Sequence, residues 1–383
     1  MTETKLNLSS LVVLSLMVAG FFYITLNNAT AVEDGLYVIR GISVDVTANS
    51  ASEARTIAVA EGQQRAFRAM LRKMTPKSYH AELPEISDSE LTSMVTGFQV
   101  SKEKTSSTRY LADLTFDFKR NMILPILDAR DIPYSETVSK PLLVLPVFDN
   151  AGVKNLWNEP NPWRDAWIGI FDRNEGPTGN QKRMDDWAQI KTLPILVPSG
   201  TLDDFKAVSV EDAVNLVDQP MKDISDLYGA GAVLVAYATL QSQGGIRRLD
   251  ISYQRNDFLS AAVVESFTGG DTDPDIYRAA IFDVVENLQE GWKDQNILDR
   301  SVINKLAVSS QISGLKEWMQ IQEKVKSIPA IQSITVRELS IDKAFWEFSF
   351  VGEIEQLAGA LAQRDLVLQN SEGYWTMDTR ISN

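Results

Sequence analysis

Trp157, Asn158, Glu159, Asn161, Trp163, Arg164, Asp165 and Trp167 crowd one Pro-rich stretch that leads into a helix. Indole faces beside amides and charges are the chemistry of glycan or peptide binding: flat apolar surfaces stack, and directional donors and acceptors work at the rim. This set, with Trp157, Asn158, Asn161, Trp163, Arg164 and Trp167 at its centre, is the candidate binding site. The same residues also fit a packing role. Trp163 and Trp167 are four apart and would bury one helix face, while Asn161 would cap that helix with Pro162 at its first position. Exposure of the rings separates the two readings.

Other reactive groups are few. The only histidine, His80, lies in a polar loop and reads as a surface residue. With no Cys, the chain has no disulfide, no thiolate metal site and no thiol nucleophile. No Gly-x-Ser-x-Gly elbow occurs, so the candidate catalytic residues are none. Asp271, Asp273 and Asp275 alternate as in a calcium loop, but Ile276 and Phe282 stand where an EF-hand needs Gly and Glu. Capping of a helix with Asp273 as cap and Pro274 at its first position explains them better. Gly244-Gly245 and Gly269-Gly270 are turn signals outside any phosphate-binding pattern. No metal and no cofactor is expected. Carboxylates are plentiful, so a glycoside hydrolase built on two of them stays open as a lesser alternative.

The Trp-rich segment falls in a middle domain, residues 140–300. Leu142 to Val147 and Pro194 to Val197 read as short buried strands, which take helices on their faces. Residues 210–217 and 219–228 read as helices stopped by Gly229 and Gly231. Strands 232–240, 247–254 and 260–267 follow, the first two as a hairpin at Gly244-Gly245, and then a long helix over 274–292. This is a mixed sheet with helices.

On its amino-terminal side, residues 32–139 form a β-α-(α)-β-β-α unit. Alternating Leu36, Val38, Ile42, Val44 and Val46 pass into a helix at the capping box Ser50-x-x-Glu53. Ala51, Ala54, Ala58, Gly62, Ala66 and Ala69 give that helix a small-residue ridge suited to close packing on a sheet. A short helix at 88–95, strands at 96–103 and 108–119, and a closing helix at 121–128 complete the unit. On the other side, residues 301–383 give β-α-β-β-α-β, the ferredoxin-like plan, with Tyr374 to Met377 as an added edge strand. The two-sided apolar strand 344–351 fits pairing between subunits, or a helix-covered sheet. The expected fold is therefore α+β or mixed α/β: three two-layer α/β modules, the last ferredoxin-like (βαββαβ).

Residues 1–31 read as a signal peptide or an uncleaved signal anchor. Lys5 precedes an uncharged apolar run over 8–26, and Ala29-Thr30-Ala31 fits a signal peptidase site, with Ala31 the last residue removed and Val32 the first kept. A buried core helix would need an outer polar face, for which 10–26 offers only Ser10, Ser15, Tyr23 and Thr25. No Cys follows the run, so lipoprotein attachment is excluded. Net charge is −14, of which residues 140–300 carry about −10. That acidity argues against nucleic acid and anionic lipid as partners of the middle domain, and favours a cationic or protein partner or solvation alone.

Gly41-Ile42-Ser43-Val44-Asp45-Val46-Thr47, Ala60-Glu61-Gly62-Gln63, Thr96-Gly97-Phe98-Gln99-Val100 and Ser106-Ser107-Thr108-Arg109-Tyr110 resemble a bacterial family of exported proteins, that of domain of unknown function 2066. The resemblance continues through Pro141 to Pro146 and Leu156 to Trp167, and so covers the first two domains. It implies an envelope location and no assigned reaction. More loosely, the first domain is similar to the amino-terminal module of a flagellar basal-body assembly protein, and the second to the amino-terminal domain of the periplasmic Tol translocation protein. The function this implies is that of a non-catalytic periplasmic envelope protein, acting as a binding or assembly module for envelope proteins. A peptidoglycan fragment or other glycan held by the Trp157 to Trp167 loop is the alternative. Membrane contact is expected only through an uncleaved amino-terminal segment.

Overall fold

Strand passes directly into helix at the start of the first module because Ser50 stops one and starts the other. Its Oγ accepts from Glu53 N at 3.2 Å while Glu53 Oε2 accepts from Asn49 N at 3.1 Å. The computed structural model describes residues 35–171, 193–243, 246–257, 261–269 and 272–379. The apolar run 8–26 and the Ala31/Val32 junction lie outside them, as does Asp271. Among the described residues, no helix is long and apolar enough to cross a membrane.

The first module carries β1 (Val38–Thr47), α1 (Ala51–Met74), α2 (Asp88–Met94), β2 (Val95–Thr105), β3 (Arg109–Phe118) and α3 (Arg120–Asp128). Its sheet is antiparallel in the order β1-β3-β2. The small ridge of α1 does what its composition suggests: Ala54, Ala58, Gly62 and Ala66 are buried on the sheet. A Cβ on Gly62 would stand 2.8 Å from Leu114 Cδ1, so any larger residue would force the buried Leu114 side chain to shift. The opposite sheet face carries polar pairs, among them Asp45 with Arg109 and Ser43 with Asp113.

The middle module holds β4 (Leu142–Asn150), β5 (Val153–Asn155), α4 (Pro162–Phe171), β6 (Ile195–Leu196), α5 (Leu202–Ala207), α6 (Val210–Val214), α7 (Asp218–Tyr228), β7 (Ala232–Gln243), β8 (Ile246–Arg255), β9 (Val263–Thr268) and α8 (Asp273–Asn296). Strand order is β5-β4-β7-β8-β9, with β6 also on β4; β4 and β7 are parallel, and β7-β8-β9 are antiparallel. Both faces are clothed, which corrects the two-layer expectation. Every residue from Leu142 to Phe148 is buried, so alternate side chains feed two cores. Leu142, Val144 and Phe148 meet α4 and α8, while Leu143, Leu145 and Val147 meet the α5–α7 side. At α8, Thr272 rather than Asp273 is the cap residue, and Asp273 instead pairs with Arg247.

In the third module β10 (Ile303–Gln311), α9 (Leu315–Lys326), β11 (Ile331–Leu339), β12 (Lys343–Val351), α10 (Ile354–Ala362), β13 (Leu366–Ser371) and β14 (Tyr374–Thr379) form a sheet ordered β11-β12-β10-β14-β13. The ferredoxin-like expectation needs correcting at its end: β14 is no edge strand but lies between β10 and β13. A tight turn at Glu372-Gly373, φ +54° and +88°, sends the chain back along β13, and β14 then runs parallel to β10. Trp318 and Trp346, centroids 4.6 Å apart, anchor the helix-covered face. The other face is open, with Lys305, Ala307 and Phe345 exposed.

Leu36–Asn383 nonetheless forms one compact unit. Buried polar contacts bind the modules together. Lys293 of α8 donates from Nζ to the carbonyls of Arg72 and Thr75 at the end of α1, each at 3.0 Å, and to Glu290 Oε1 at 2.5 Å. Cations at a helix carboxyl end are favourable, and here three acceptors offset the burial that pushes the Lys293 pKa down. In the linker, Glu136 accepts from Tyr37 at 2.5 Å and twice from Arg120, at 2.6 and 2.8 Å. Burial, and then Glu136, raises the Tyr37 pKa. Gln356 Nε2 donates to the carbonyls of Gln295 and Ile297 at 2.9 and 2.8 Å, tying the third module to the end of α8.

Candidate functional site

The Trp-rich segment turns around one edge of the middle sheet with a foot in each core. Trp163 and Trp167 are fully buried on the α8 side, edge to face at 5.7 Å, and Trp163 Nε1 donates to Ala236 O at 2.9 Å. Trp157 is 7% exposed on the opposite side, where its Nε1 donates to Val208 O at 2.8 Å. Asn161 fastens the crossing. Its Oδ1 caps α4 by accepting from Arg164 N at 2.9 Å, and its Nδ2 donates to the carbonyls of Pro146, Asn155 and Leu156 at 3.1 to 3.2 Å. Arg164 gives Nη1 to Leu156 O and Trp157 O, at 3.2 and 2.8 Å, and Nη2 to Glu159.

This corrects the glycan-platform expectation. Trp157, Asn161, Trp163, Arg164 and Trp167 are buried and committed to each other and to backbone carbonyls, so their faces cannot stack on a sugar. Of the six residues at the centre of that candidate, only Asn158 is exposed. The packing role holds, including the Asn161 cap and Pro162 at the first helical position.

What the segment supports is the helical layer above Trp157. Gly200, at φ +84°, passes so close that a Cβ there would stand 3.1 Å from Arg164 Nη1. Thr201 then starts α5 with a capping box, and Asp204, fully buried, accepts from Gly200 N and Thr201 N at 3.0 and 2.7 Å. Its second oxygen accepts from Tyr228 OH at 2.8 Å, pinning the end of α7 to α5. Burial, and then this carboxylate, raises the Tyr228 pKa. A second capping box, Ser209 with Asp212, starts α6.

On this fastened layer the outward side chains are unusual. Leu202 is 71% exposed, Leu227 52% and Phe205 47%; the Phe205 ring rests 6.0 Å from that of Trp157. Between residues 202 and 228, apart from the buried Asp204, six carboxylates stand against only Lys206 and Lys222, a net charge of −4. Much of the acidity of the middle domain is thus concentrated on α5–α7. Exposed apolar side chains in a field of one sign form a surface for a partner that brings the opposite charge and an apolar face. Sequence reading missed α5 altogether. Its signal was present in the repeated Thr201-x-x-Asp204 and Ser209-x-x-Asp212 boxes.

No protein-family model and no curated protein matches the chain. The family resemblance accordingly rests on the strings quoted above.

Two other groups bear on chemistry. His80 is half-buried rather than a free surface residue: its ring Nε2 lies 3.1 Å from Thr75 O, the carbonyl that Lys293 also holds. Burial depresses its pKa, opposed by that hydrogen bond. Glu265 of β9 has its pKa raised, first by burial and then by neighbouring Asp283 of α8, while its Oε1 accepts from Tyr253 OH and Asn287 Nδ2, each at 3.3 Å. Among the described residues, no cluster of three or more His, Asp or Glu side chains is placed to hold a metal ion.

Proposed function

We propose that this protein acts after export as a non-catalytic binding or assembly module of the cell envelope, and that the α5–α7 layer receives a cationic protein partner. The single observation that carries this reading is the coincidence, on one fastened helical surface, of Leu202, Phe205 and Leu227 exposed with a net charge of −4 outside the buried Asp204. Lys or Arg side chains of the partner would meet the carboxylates, and apolar anchors would cover the three side chains. The export expectation, with Val32 as first residue, belongs to the same reading and is checked by amino-terminal sequencing of the mature chain.

Binding is tested with a fluorescent Lys-rich amphipathic peptide. We expect saturable binding that weakens steeply with salt and is lost in the double variant Leu202→Ser, Phe205→Ser. Equal binding by wild type and double variant would overturn the assignment of this surface.

A further inference from the structure

We propose that β11 pairs with β11 of a second copy of this chain, antiparallel, about a twofold axis through Thr335. Among the described residues β11 has one neighbour, β12, so its other edge presents unpaired backbone groups. Its register is what singles it out. Ile331, Ile334, Val336 and Leu339 stand opposite Phe350, Phe348, Trp346 and Ala344 of β12, all four buried, and therefore share the core-side face. Those four positions are symmetric about Thr335. Turning the strand over places Ile331 against Leu339 of the second copy and Ile334 against Val336, and each pair occurs twice across the axis.

The polar positions are compatible with the same axis. Arg337 meets Ser333 and Glu338 meets Gln332, so no like charges oppose each other, and Thr335 meets itself. The two breaks in register with β12 leave Gln332 and Arg337 as extra residues of β11, and the stretch Ser333–Val336 between them, which holds Thr335, is regular. Val336 and Leu339, 41% and 45% exposed, would be covered by the second copy. The edge of the first module is guarded differently. β2 carries Lys102, Glu103 and Lys104 in a row, with Lys102 at φ +48°, features that discourage strand addition. Pairing of one nine-residue strand buries less than the ~1,600 Å² of a standard interface, which places the dimer among small, concentration-dependent interfaces.

Because the chain has no Cys, a single substitution supplies the only thiol. Facing residues of an antiparallel pair have Cα atoms about 4.5–5.5 Å apart, within disulfide range. Thr335→Cys is expected to form a covalent dimer on mild oxidation. Ser333→Cys and Arg337→Cys are each expected to stay monomeric alone and to crosslink when mixed. Sedimentation of the unsubstituted chain over about 1–500 μM should show reversible dimers that Val336→Lys abolishes. A Thr335→Cys chain that stays monomeric, Ser333→Cys crosslinking to itself as readily, or dimers unaffected by Val336→Lys would each overturn the proposal.

Discussion

The middle sheet is clothed on both faces and the third on one, and the two expose apolar surface in different places. In the middle module the central strands β4 and β7 feed cores on both faces, and apolar exposure on the sheet is confined to its outer strands and strand ends, such as Val153 and Val264. Leu202, Phe205 and Leu227 reach solvent from a helical cover whose carboxylates give it a strong negative field. In the third module α9 and α10 cover one face, and apolar side chains are exposed on the sheet itself, at Val336, Leu339 and Phe345, as well as on α9, at Leu315 and Met319. Charge on a helical surface selects a partner of opposite sign, whereas an open edge pairs by backbone and pattern and suits a like strand.

The contrast breaks first at the tryptophans. Trp163→Ala should cost about 3–5 kcal/mol in denaturant unfolding, because a fully buried indole leaves a cavity and orphans Ala236 O, whereas Phe345→Ala on the open face should cost under about 1 kcal/mol. Similar costs would mean that the open face is covered in solution. Next comes Asn161→Ala, expected to cost about 2 kcal/mol through loss of the α4 cap and of bonds to three carbonyls. A loss no larger than at exposed Asn158 would show that the crossing is not fastened as described.

A smaller effect tests the junction between the first and middle modules. His80 faces Lys293, Arg72, Glu290 and the Thr75 carbonyl, and its folded pKa lies below the ordinary 6.5. Between those two values the unfolded chain binds more protons, so stability falls as pH drops through that window and levels off below it. Melting from pH 7.5 to 4.5 should show this slope flattened in His80→Gln; an unchanged slope would locate it in other groups. The smallest expected effect is on the α5–α7 surface, where Leu202→Ser with Phe205→Ser should alter unfolding free energy by less than about 1 kcal/mol, since both side chains are exposed. A collapse would make them core.

Sequence alone showed much of this architecture where structure is local. Alternation in β1 and β3, the Ser50 box and the small ridge of α1 specify a one-faced sheet under one helix, and that is the first module. The Trp-rich segment was legible as a helix cap and apolar stripe, but not as a bridge between cores. Trp157 and Trp163 enter different layers, which follows from β4 lying between β5 and β7 rather than from spacing. The place of β14 was equally hidden, because it rests on long-range pairing of Val308 with Trp375 and Ser309 with Thr376. The acidity of the middle domain was read correctly as a regional excess, yet only the fold gathers much of it on three adjacent helices beside exposed Leu and Phe.

The central claim is that α5–α7 is a docking surface. Its most direct test is photocrosslinking in cells from a benzoylphenylalanine placed at Leu202, Phe205 or Leu227, with exposed Ile246 and Tyr374 as controls. One discrete adduct from all three positions and none from the controls, with the crosslinked peptide rich in Lys or Arg and apolar residues, is the predicted result. No adduct from any of the three, or the same adducts from the controls, would contradict it.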